Sequence, residues 1–456
     1  MNYDVKVGID AFSFDIPKIY LPIKELAIAR DIEPAKLEKG LGLLKMSLPD
    51  VHQDVIVFAA NALKKLLEQE GLRPEEISRI YIGTESGIDS SKPIGSFLVS
   101  LMEDLYGEGS FEHCDVVDLT FACIGGVDAL HNSLDYIRVN PDKKAIVIGT
   151  DYAKYDLNST GEYTQGAGAV ALLLSANPRI ISIKNKIGIS TKGVFDFFKP
   201  KRSLSKKEVT EKDNNPIWFG IEEDEINLFK EQPIFDGQYS NICYQNRLKG
   251  AYFHLKKLLS IETTLYQQWK NIIVHSPYSF QGRRMFSEIY ALDSDLKESL
   301  PTQEKEYTDK LKEISKTPEY KSFVQEKFAP AEVASSNIGN MYTGSIFMGL
   351  LSTLYYHVKN NSEIIGEKFG FLAYGSGSKS KAFEGVIEKE WKTQSEKLHL
   401  FETLEQTQAI DMDTYHALYK KELKTSVLAP KNEYMLESIE HENPVLLGAR
   451  YYKFKQ

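Results

Sequence analysis

Cysteine is scarce in this chain: three in 456 residues, Cys114, Cys123 and Cys243, with no CxxC and no paired spacing. That count excludes a disulfide framework and a cysteine-rich zinc site, and it fits a reducing compartment. Long apolar runs are missing as well; no stretch reaches the about 18 uncharged apolar residues that a membrane helix needs. The opening run Met-Asn-Tyr-Asp-Val-Lys-Val-Gly-Ile-Asp lacks an apolar leader core and reads as a strand, so a cytoplasmic location is expected. Positive charge is in deficit, 55 Lys and Arg against 64 Asp and Glu, for a net charge of −9. A broad nucleic-acid surface would need clustered positive charge, so no nucleic-acid partner is expected, and an anionic ligand would require a local basic patch. Low-complexity tracts, sequence repeats and linkers are absent, and Pro178 marks the one seam. What remains is 42% apolar and 26% charged, ordinary for a globular chain with a sizeable core. The length suits two or three average domains, or one large α/β unit made of two halves.

The order of patterns predicts an α/β fold. A strand is expected over residues 5–12, an amphipathic helix over 54–69 closed by Gly71, and a strand over 79–84. An apolar strand then ends at Cys123, and Val127, Leu130, Leu134 and Ile137 form a helical stripe that stops at Asn140-Pro141. Residues 145–150 read as a buried strand. The rhythm resumes with a strand over 179–189, a helix over 238–259, a strand over 272–275, a helix beginning near Asn340 and a strand over 369–374. Alternation of this kind predicts a mixed or parallel sheet covered by helices. Residues 1–176 are taken as one half and 177–456 as the other. Two charged segments, 199–232 and 293–334, read as surface excursions or added helices.

Cys123 is the leading nucleophile. In Val116-Val117-Asp118-Leu119-Thr120-Phe121-Ala122-Cys123-Ile124-Gly125-Gly126 a strand gives way to a helix, whose positive dipole end favours a thiolate. The glycines would let backbone approach a substrate closely. A cysteine nucleophile needs a proton partner and donors for a developing oxyanion. His275, at the C-terminal end of Ile272-Ile273-Val274, is the first candidate partner, because α/β folds gather their sites at strand C-termini. Glu85, at the end of Ile80-Tyr81-Ile82-Gly83-Thr84, is a candidate general base. Asn340 could donate to a carbonyl or cap the following helix, and Gly375-Ser376-Gly377 could offer backbone N–H groups. That turn lacks the Gly-Lys-Ser/Thr ending of a phosphate-binding loop. No metal-ligand spacing is present.

Taken in order, Gly83-Thr84-Glu85-Ser86-Gly87-Ile88-Asp89, Ala122-Cys123 with Gly125-Gly126, Asp151-Tyr152-Ala153-Lys154-Tyr155, Thr164-Gln165-Gly166-Ala167-Gly168, His275-Ser276-Pro277-Tyr278, Gly339-Asn340-Met341-Tyr342-Thr343-Gly344-Ser345 and Tyr374-Gly375-Ser376-Gly377 resemble the hydroxymethylglutaryl-CoA synthases of the thiolase-like superfamily. The resemblance runs from the first strand to at least residue 378. It implies a five-layered αβαβα fold of two similar halves, usually a homodimer. The implied reaction condenses acetyl-CoA with acetoacetyl-CoA, in the mevalonate route to isoprenoids, with CoA thioesters as substrates and no bound cofactor. By the same likeness Cys123 takes the acetyl group, Glu85 is the general acid/base and His275 orients the acetoacetyl group. Asn340 and Ser376 of the glycine turn would line the carbonyl sites, and Asp151, Asp196, Tyr155 and Thr164 would lie at or near the substrate.

Two positions depart from the family pattern. Ile124 stands where members commonly have a tyrosine after the nucleophile. Phe280 stands where animal members carry a lysine that meets CoA, and Arg283-Arg284 follow it. The CoA phosphates are therefore assigned to Arg283, Arg284 and Lys199, the last in a cluster with Lys201 and Arg202. Two related activities share most of these motifs: a synthase that takes its acyl group from a carrier protein in polyketide β-branching, and a decarboxylating ketoacyl synthase, which has no need of Glu85.

Overall fold

The computed structural model describes residues 5–207 and 225–456. Strand β1 (Val7–Asp15) leads to helix α1 (Val55–Glu70). Asp54 caps α1 by accepting from the N–H groups of Ile56 and Val57, and Gly71 closes it at φ 59°. A short acceptor before the helix and a left-handed glycine after it are what the exposed ends of the backbone require. Next come β2 (Ile77–Gly83), α2 (Ile94–Tyr106), β3 (Asp115–Leu119), α3 (Gly125–Val139), β4 (Lys144–Ala153) and β5 (Gly166–Ala176). The remainder supplies β6 (Ile181–Ile183), β7 (Gly188–Thr191), α4 (Gly237–Leu259), β8 (Asn271–Val274), α5 (Gln281–Leu292), α6 (Glu304–Ile314), α7 (Pro318–Lys327), α8 (Ala329–Ile338), α9 (Ser345–Lys359), β9 (Lys368–Gly375) and β10 (Lys379–Ile387).

Ten strands form one mixed sheet in the order β8-β9-β10-β6-β1-β5-β4-β2-β3, with β7 beside β10. β2 runs parallel to both β3 and β4, and β8 parallel to β9, so their C-terminal ends present loops on one side of each wing. Side chains alternate across each strand. On β5, Val170, Leu172 and Leu174 face a central core, while Ala169, Ala171 and Leu173 face α1 and α2. On the other wing Phe369 and Phe371 of β9 join the central core, and Leu372 packs with α4 and α5. Helices α3 and α9 fill the central core between the wings. Helices thus lie outside each wing of the sheet and between the two wings, a layered α/β fold. Each fully buried Leu or Phe in that centre contributes about 1.5–3 kcal/mol against exposure.

Three expectations change. The strand expected over 179–189 is two strands, β6 and β7, because the exposed run Lys184-Asn185-Lys186 leaves the sheet between them. The late helix begins at Ser345, not near Asn340; Tyr342–Gly344 form a 3₁₀ turn first. Segment 293–334 forms helices, the second of its two readings, but they are not all surface: Ala334 enters the central core and Tyr320, Val324 and Phe328 pack with α4 and α5. Segment 199–232 contains the exposed pair Lys201–Ser205 and Glu225–Phe229; residues 208–224 of that expectation lie outside the described residues. No helix among the described residues is long and apolar enough to cross a membrane.

Candidate active site

Cys123, the candidate nucleophile, lies where β3 turns into α3. Ala122, just before it, adopts φ 42°, a left-handed conformation that costs a non-glycine residue about 1–3 kcal/mol and persists only when its surroundings enforce it. Three glycines make those surroundings. A Cβ on Gly83 would lie 2.1 Å from the Gly126 nitrogen, one on Gly125 2.6 Å from the Leu119 oxygen, and one on Gly126 2.9 Å from the Phe347 ring. The glycine pair therefore serves packing of α3 against β2 and α9, where the sequence had suggested close approach to a substrate. Ile124 turns into the central core against Gly375 and is fully buried, so an aliphatic residue there completes packing beneath the turn.

Cys123 is buried and its Sγ donates to Glu85 Oε1 at 2.9 Å. Burial pushes the thiol well above its ordinary pKa, and the Glu85 carboxylate adds to the rise. The resting group is a thiol, which corrects the thiolate expected from the helix terminus: desolvation beside an anion outweighs a dipole end. The partner of the thiol is Glu85, not His275.

Glu85 is held from behind by Asp151. Asp151 Oδ1 accepts from the Glu85 N–H at 2.8 Å and from Thr84 Oγ1 at 3.1 Å, while Oδ2 accepts from the Thr343 N–H at 3.0 Å and from its hydroxyl. Thr343 Oγ1 also lies 2.7 Å from the Gly83 carbonyl, so the two acceptors share its one hydrogen. Burial, with the nearby Glu85 charge, raises the Asp151 pKa. Both Asp151 oxygens are occupied by protein donors, so this residue fixes the β2 end to the Thr343 turn and offers nothing to a substrate. Lys199 approaches Glu85 from the other side, 3.5 Å from Oε2, and donates to the Glu85 carbonyl at 3.2 Å. The sequence placed Lys199 on CoA phosphates; the fold places it in the Glu85 cluster.

Aromatic rings enclose the sulfur. Tyr155 and Tyr342 are buried with Cys123, and Phe197 and Phe235 pack against them. The Phe197–Tyr342 and Tyr155–Phe235 ring centroids are 6.0 and 5.6 Å apart. Phe197 and Phe235 arrive together because Phe197–Phe198 pairs with Ile234–Phe235. Tyr342 has φ 41°, stabilised by Asn340 Oδ1, which accepts from the Tyr342 N–H at 2.8 Å and from Ser345 Oγ at 3.1 Å. Asn340 is thus no helix cap, and among the described residues its amide Nδ2 has no hydrogen-bond partner. His275 follows β8 and is 1% exposed, and neither ring nitrogen has a partner among the described residues. Tyr244 donates to its carbonyl at 2.6 Å. Burial lowers the imidazole pKa to about 3, so the ring is neutral at pH 7. A neutral imidazole with two unused nitrogens and an amide with unused donors are what a carbonyl-bearing ligand needs.

Asp196 accepts from Tyr374 Oη and from the Gly377 N–H at 2.7 Å, so it clamps the turn after β9 and leaves Ser376 half-exposed on it. Thr164 spends its hydroxyl hydrogen on the Gly161 carbonyl at 2.7 Å. The Tyr155 N–H donates to Gln165 Oε1 at 2.9 Å. Arg283 forms a two-pronged pair with the buried Glu332 and stacks 3.8 Å over Phe280, so its fork is engaged inside the protein. Arg284 is exposed, touching Tyr278 Oη at 3.3 Å. Sequence reasoning missed Thr343, the aromatic enclosure and the position of Lys199. The close spacing of Asp196, Phe197 and Lys199 in Asp196-Phe197-Phe198-Lys199-Pro200 was the available signal. Among the described residues no group of His, Cys, Asp or Glu is placed to hold a metal ion.

A buried cysteine, hydrogen-bonded to a carboxylate at the strand ends of a two-winged layered sheet, is the arrangement of a nucleophile beside an acid/base group. The particular family follows from comparison. The N-terminal model of hydroxymethylglutaryl-coenzyme A synthase matches residues 3–179 and its C-terminal model matches residues 225–441, and the chain belongs to that family. Hydroxymethylglutaryl-CoA synthase of Haloferax volcanii is 28% identical over 442 residues, covering 91% of each chain. The synthase of Enterococcus faecalis is 29% identical over 422 residues, covering 92% of this chain and 93% of the relative. Among solved structures, MvaS in complex with 3-hydroxy-3-methylglutaryl coenzyme A superposes with a TM-score of 0.80 at 26% identity, over 99% of this chain and 100% of that one. The HMG synthase of the curacin biosynthetic pathway, with a TM-score of 0.77 at 20% identity over 98% of this chain and 100% of that one, shares the fold.

Proposed function

We propose that this enzyme condenses acetyl-CoA with acetoacetyl-CoA and water to give 3-hydroxy-3-methylglutaryl-CoA and CoA, as a step of the mevalonate route. The observation that carries the reading is the 2.9 Å contact from Cys123 Sγ to Glu85 Oε1. Cys123 attacks the acetyl carbonyl; a sulfur–carbon bond forms, the bond to CoA sulfur breaks, and the thiol proton passes through Glu85 to the departing CoA. Glu85 then takes a proton from the acetyl methyl group. The resulting enolate carbon bonds to the ketone carbon of acetoacetyl-CoA, and Glu85 returns the proton to the ketone oxygen. Water cleaves the Cys123 thioester, leaving a carboxylate and the free thiol. The aromatic enclosure excludes bulk water from the carbanion, and the neutral His275 and Asn340 Nδ2 are the donors for the acetoacetyl oxygens. The exposed Arg284 is assigned to the CoA phosphates, since Arg283 is committed to Glu332.

Incubation with acetyl-CoA should add about 42 Da, an acetyl group less a hydrogen, to the peptide containing Cys123, and Cys123→Ala should abolish the adduct. An equal adduct on Cys123→Ala would overturn the assignment. Carrier-protein donors are the competing substrate class; turnover with carrier-bound acetyl groups exceeding that with acetyl-CoA would favour them. We also assign the enzyme to the cytoplasm, on its few unpaired cysteines, and to a homodimer. β3 ends the sheet with one edge unpaired among the described residues, and the same strand of a second copy would continue it.

A further inference from the structure

Two carboxylates and a thiol converge at the strand ends, and among the described residues one ammonium, that of Lys199, contacts Glu85. Glu85 Oε1 is turned to Cys123 at 2.9 Å and Oε2 to Lys199 at 3.5 Å, so each oxygen has its own partner. The Glu85 side chain is 6% exposed and that of Lys199 is 18% exposed, so water screens the pair weakly. The groups facing Glu85 are Cys123 at the start of α3, Asp151 on β4, Tyr155 beyond it, Tyr342 in the 3₁₀ turn and Lys199 itself. Glu231, the other carboxylate near Lys199, is paired with Lys154 at 3.2 Å. Without Lys199 the cluster would hold two neighbouring anions in a mostly apolar enclosure, an arrangement that drives one carboxylate to its neutral form. A neutral Glu85 cannot take a proton from the acetyl methyl carbon.

The root of Lys199 is fixed independently. Asp196, three residues earlier, is tied to the turn after β9, and the Lys199 ammonium lies 4.6 Å from the Tyr342 ring centroid while donating to the Glu85 carbonyl. These contacts hold the ammonium against Glu85 and the Tyr342 ring. Residues 180–224, which contain Asp196 and Lys199, fall between the two family matches.

We propose that Lys199 is a positioning residue of the condensation: its ammonium keeps Glu85 as an oriented carboxylate, and it does not bind the CoA phosphates. The proposal rests on the synthase reading above. Lys199→Met and Lys199→Arg are compared with the parent over pH 5.5–9.5, with CoA substrates and with short pantetheine thioesters that lack the nucleotide. Lys199→Met should lower kcat at pH 7 by several-fold, equally on both substrate sets. The acid limb of its profile should move up by about one unit, activity recovering at high pH, as for loss of an opposite charge within 4–6 Å. Lys199→Arg should keep the parent limb. A loss confined to CoA substrates would restore the phosphate assignment and overturn the proposal; an unmoved limb, or no rescue by arginine in a variant of parental melting temperature, would overturn it also. Alkylation of Cys123 by iodoacetamide needs no condensation, and loss of the ammonium that lowers the thiol pKa should make Lys199→Met react several-fold more slowly at pH 9. A parent that fails to condense would refute the synthase reading, whereas unchanged alkylation would refute the Lys199 role.

Discussion

Replacing Glu85 with glutamine separates two steps that share one residue. The carboxylate holds the thiol proton and contributes to the raised Cys123 pKa, both directly and through its charge. In Glu85→Gln that charge is gone, so the thiol ionises more readily and acetyl-Cys123 should still form. The amide cannot accept a proton from the acetyl methyl group, and condensation should fall by about 10³–10⁴-fold, the upper range for a positioned base. Quench-flow with labelled acetyl-CoA reads the first step and product formation the second; near-normal condensation would remove Glu85 from the base role. The single residues of this site were legible in the sequence when their chemistry is local: a cysteine at a strand end, a glutamate after Gly-Thr. Residues whose meaning is a partner were not. Asp151 and Asp196 are carboxylates in loops by pattern, and only the fold shows that their oxygens are spent on Thr343, Thr84, Tyr374 and Gly377.

At the scale of elements, the site depends on how closely backbones meet. A Cβ at Gly375 would lie 2.5 Å from the Phe121 carbonyl and 2.7 Å from Ile124 Cγ2, the two residues that bracket Ala122-Cys123. Gly375→Ala should therefore push the nucleophile turn away from β9. We expect kcat to fall by at least tenfold, with acetyl-enzyme formation falling alongside, because overpacking of a buried contact typically costs about 1–3 kcal/mol. Parallel loss of both steps separates this variant from Glu85→Gln. Asp196→Asn acts on the other side of the same turn. It retains an acceptor yet loses the charge that holds Tyr374 and the Gly377 N–H, and should destabilise the fold by about 1–3 kcal/mol, read as a shift in denaturant midpoint. The elements themselves were predicted where periodicity is long, as in α1 and α4. The 3₁₀ turn before α9 was hidden, because Asn340 has the composition of a cap and its tertiary setting turned it back on Tyr342.

Over the whole molecule, the neutral His275 ties stability to pH. Its folded pKa of about 3 lies below the reference value of 6.5, so between those values the unfolded chain binds a proton that the folded chain excludes. Stability from this residue is complete above pH 6.5 and drains as pH falls toward 3. From pH 7 to pH 5 the loss is about 2 kcal/mol, at 1.36 kcal/mol per pH unit below the unfolded pKa. Asp15, raised to about 7 by burial, and Asp151, also raised, act in the opposite sense: the folded chain takes up their protons first, so their share of stability grows as pH falls. These contributions oppose one another in the parent, and its own pH curve conceals the histidine. A difference measurement isolates it. His275→Leu keeps the buried volume and removes the titrating ring. Its stability relative to the parent, from urea midpoints, should improve by about 2 kcal/mol between pH 7 and pH 5. The same difference at both pH values would mean that the folded enzyme accommodates a charged His275, and would contradict the neutral donor that the acetoacetyl site requires.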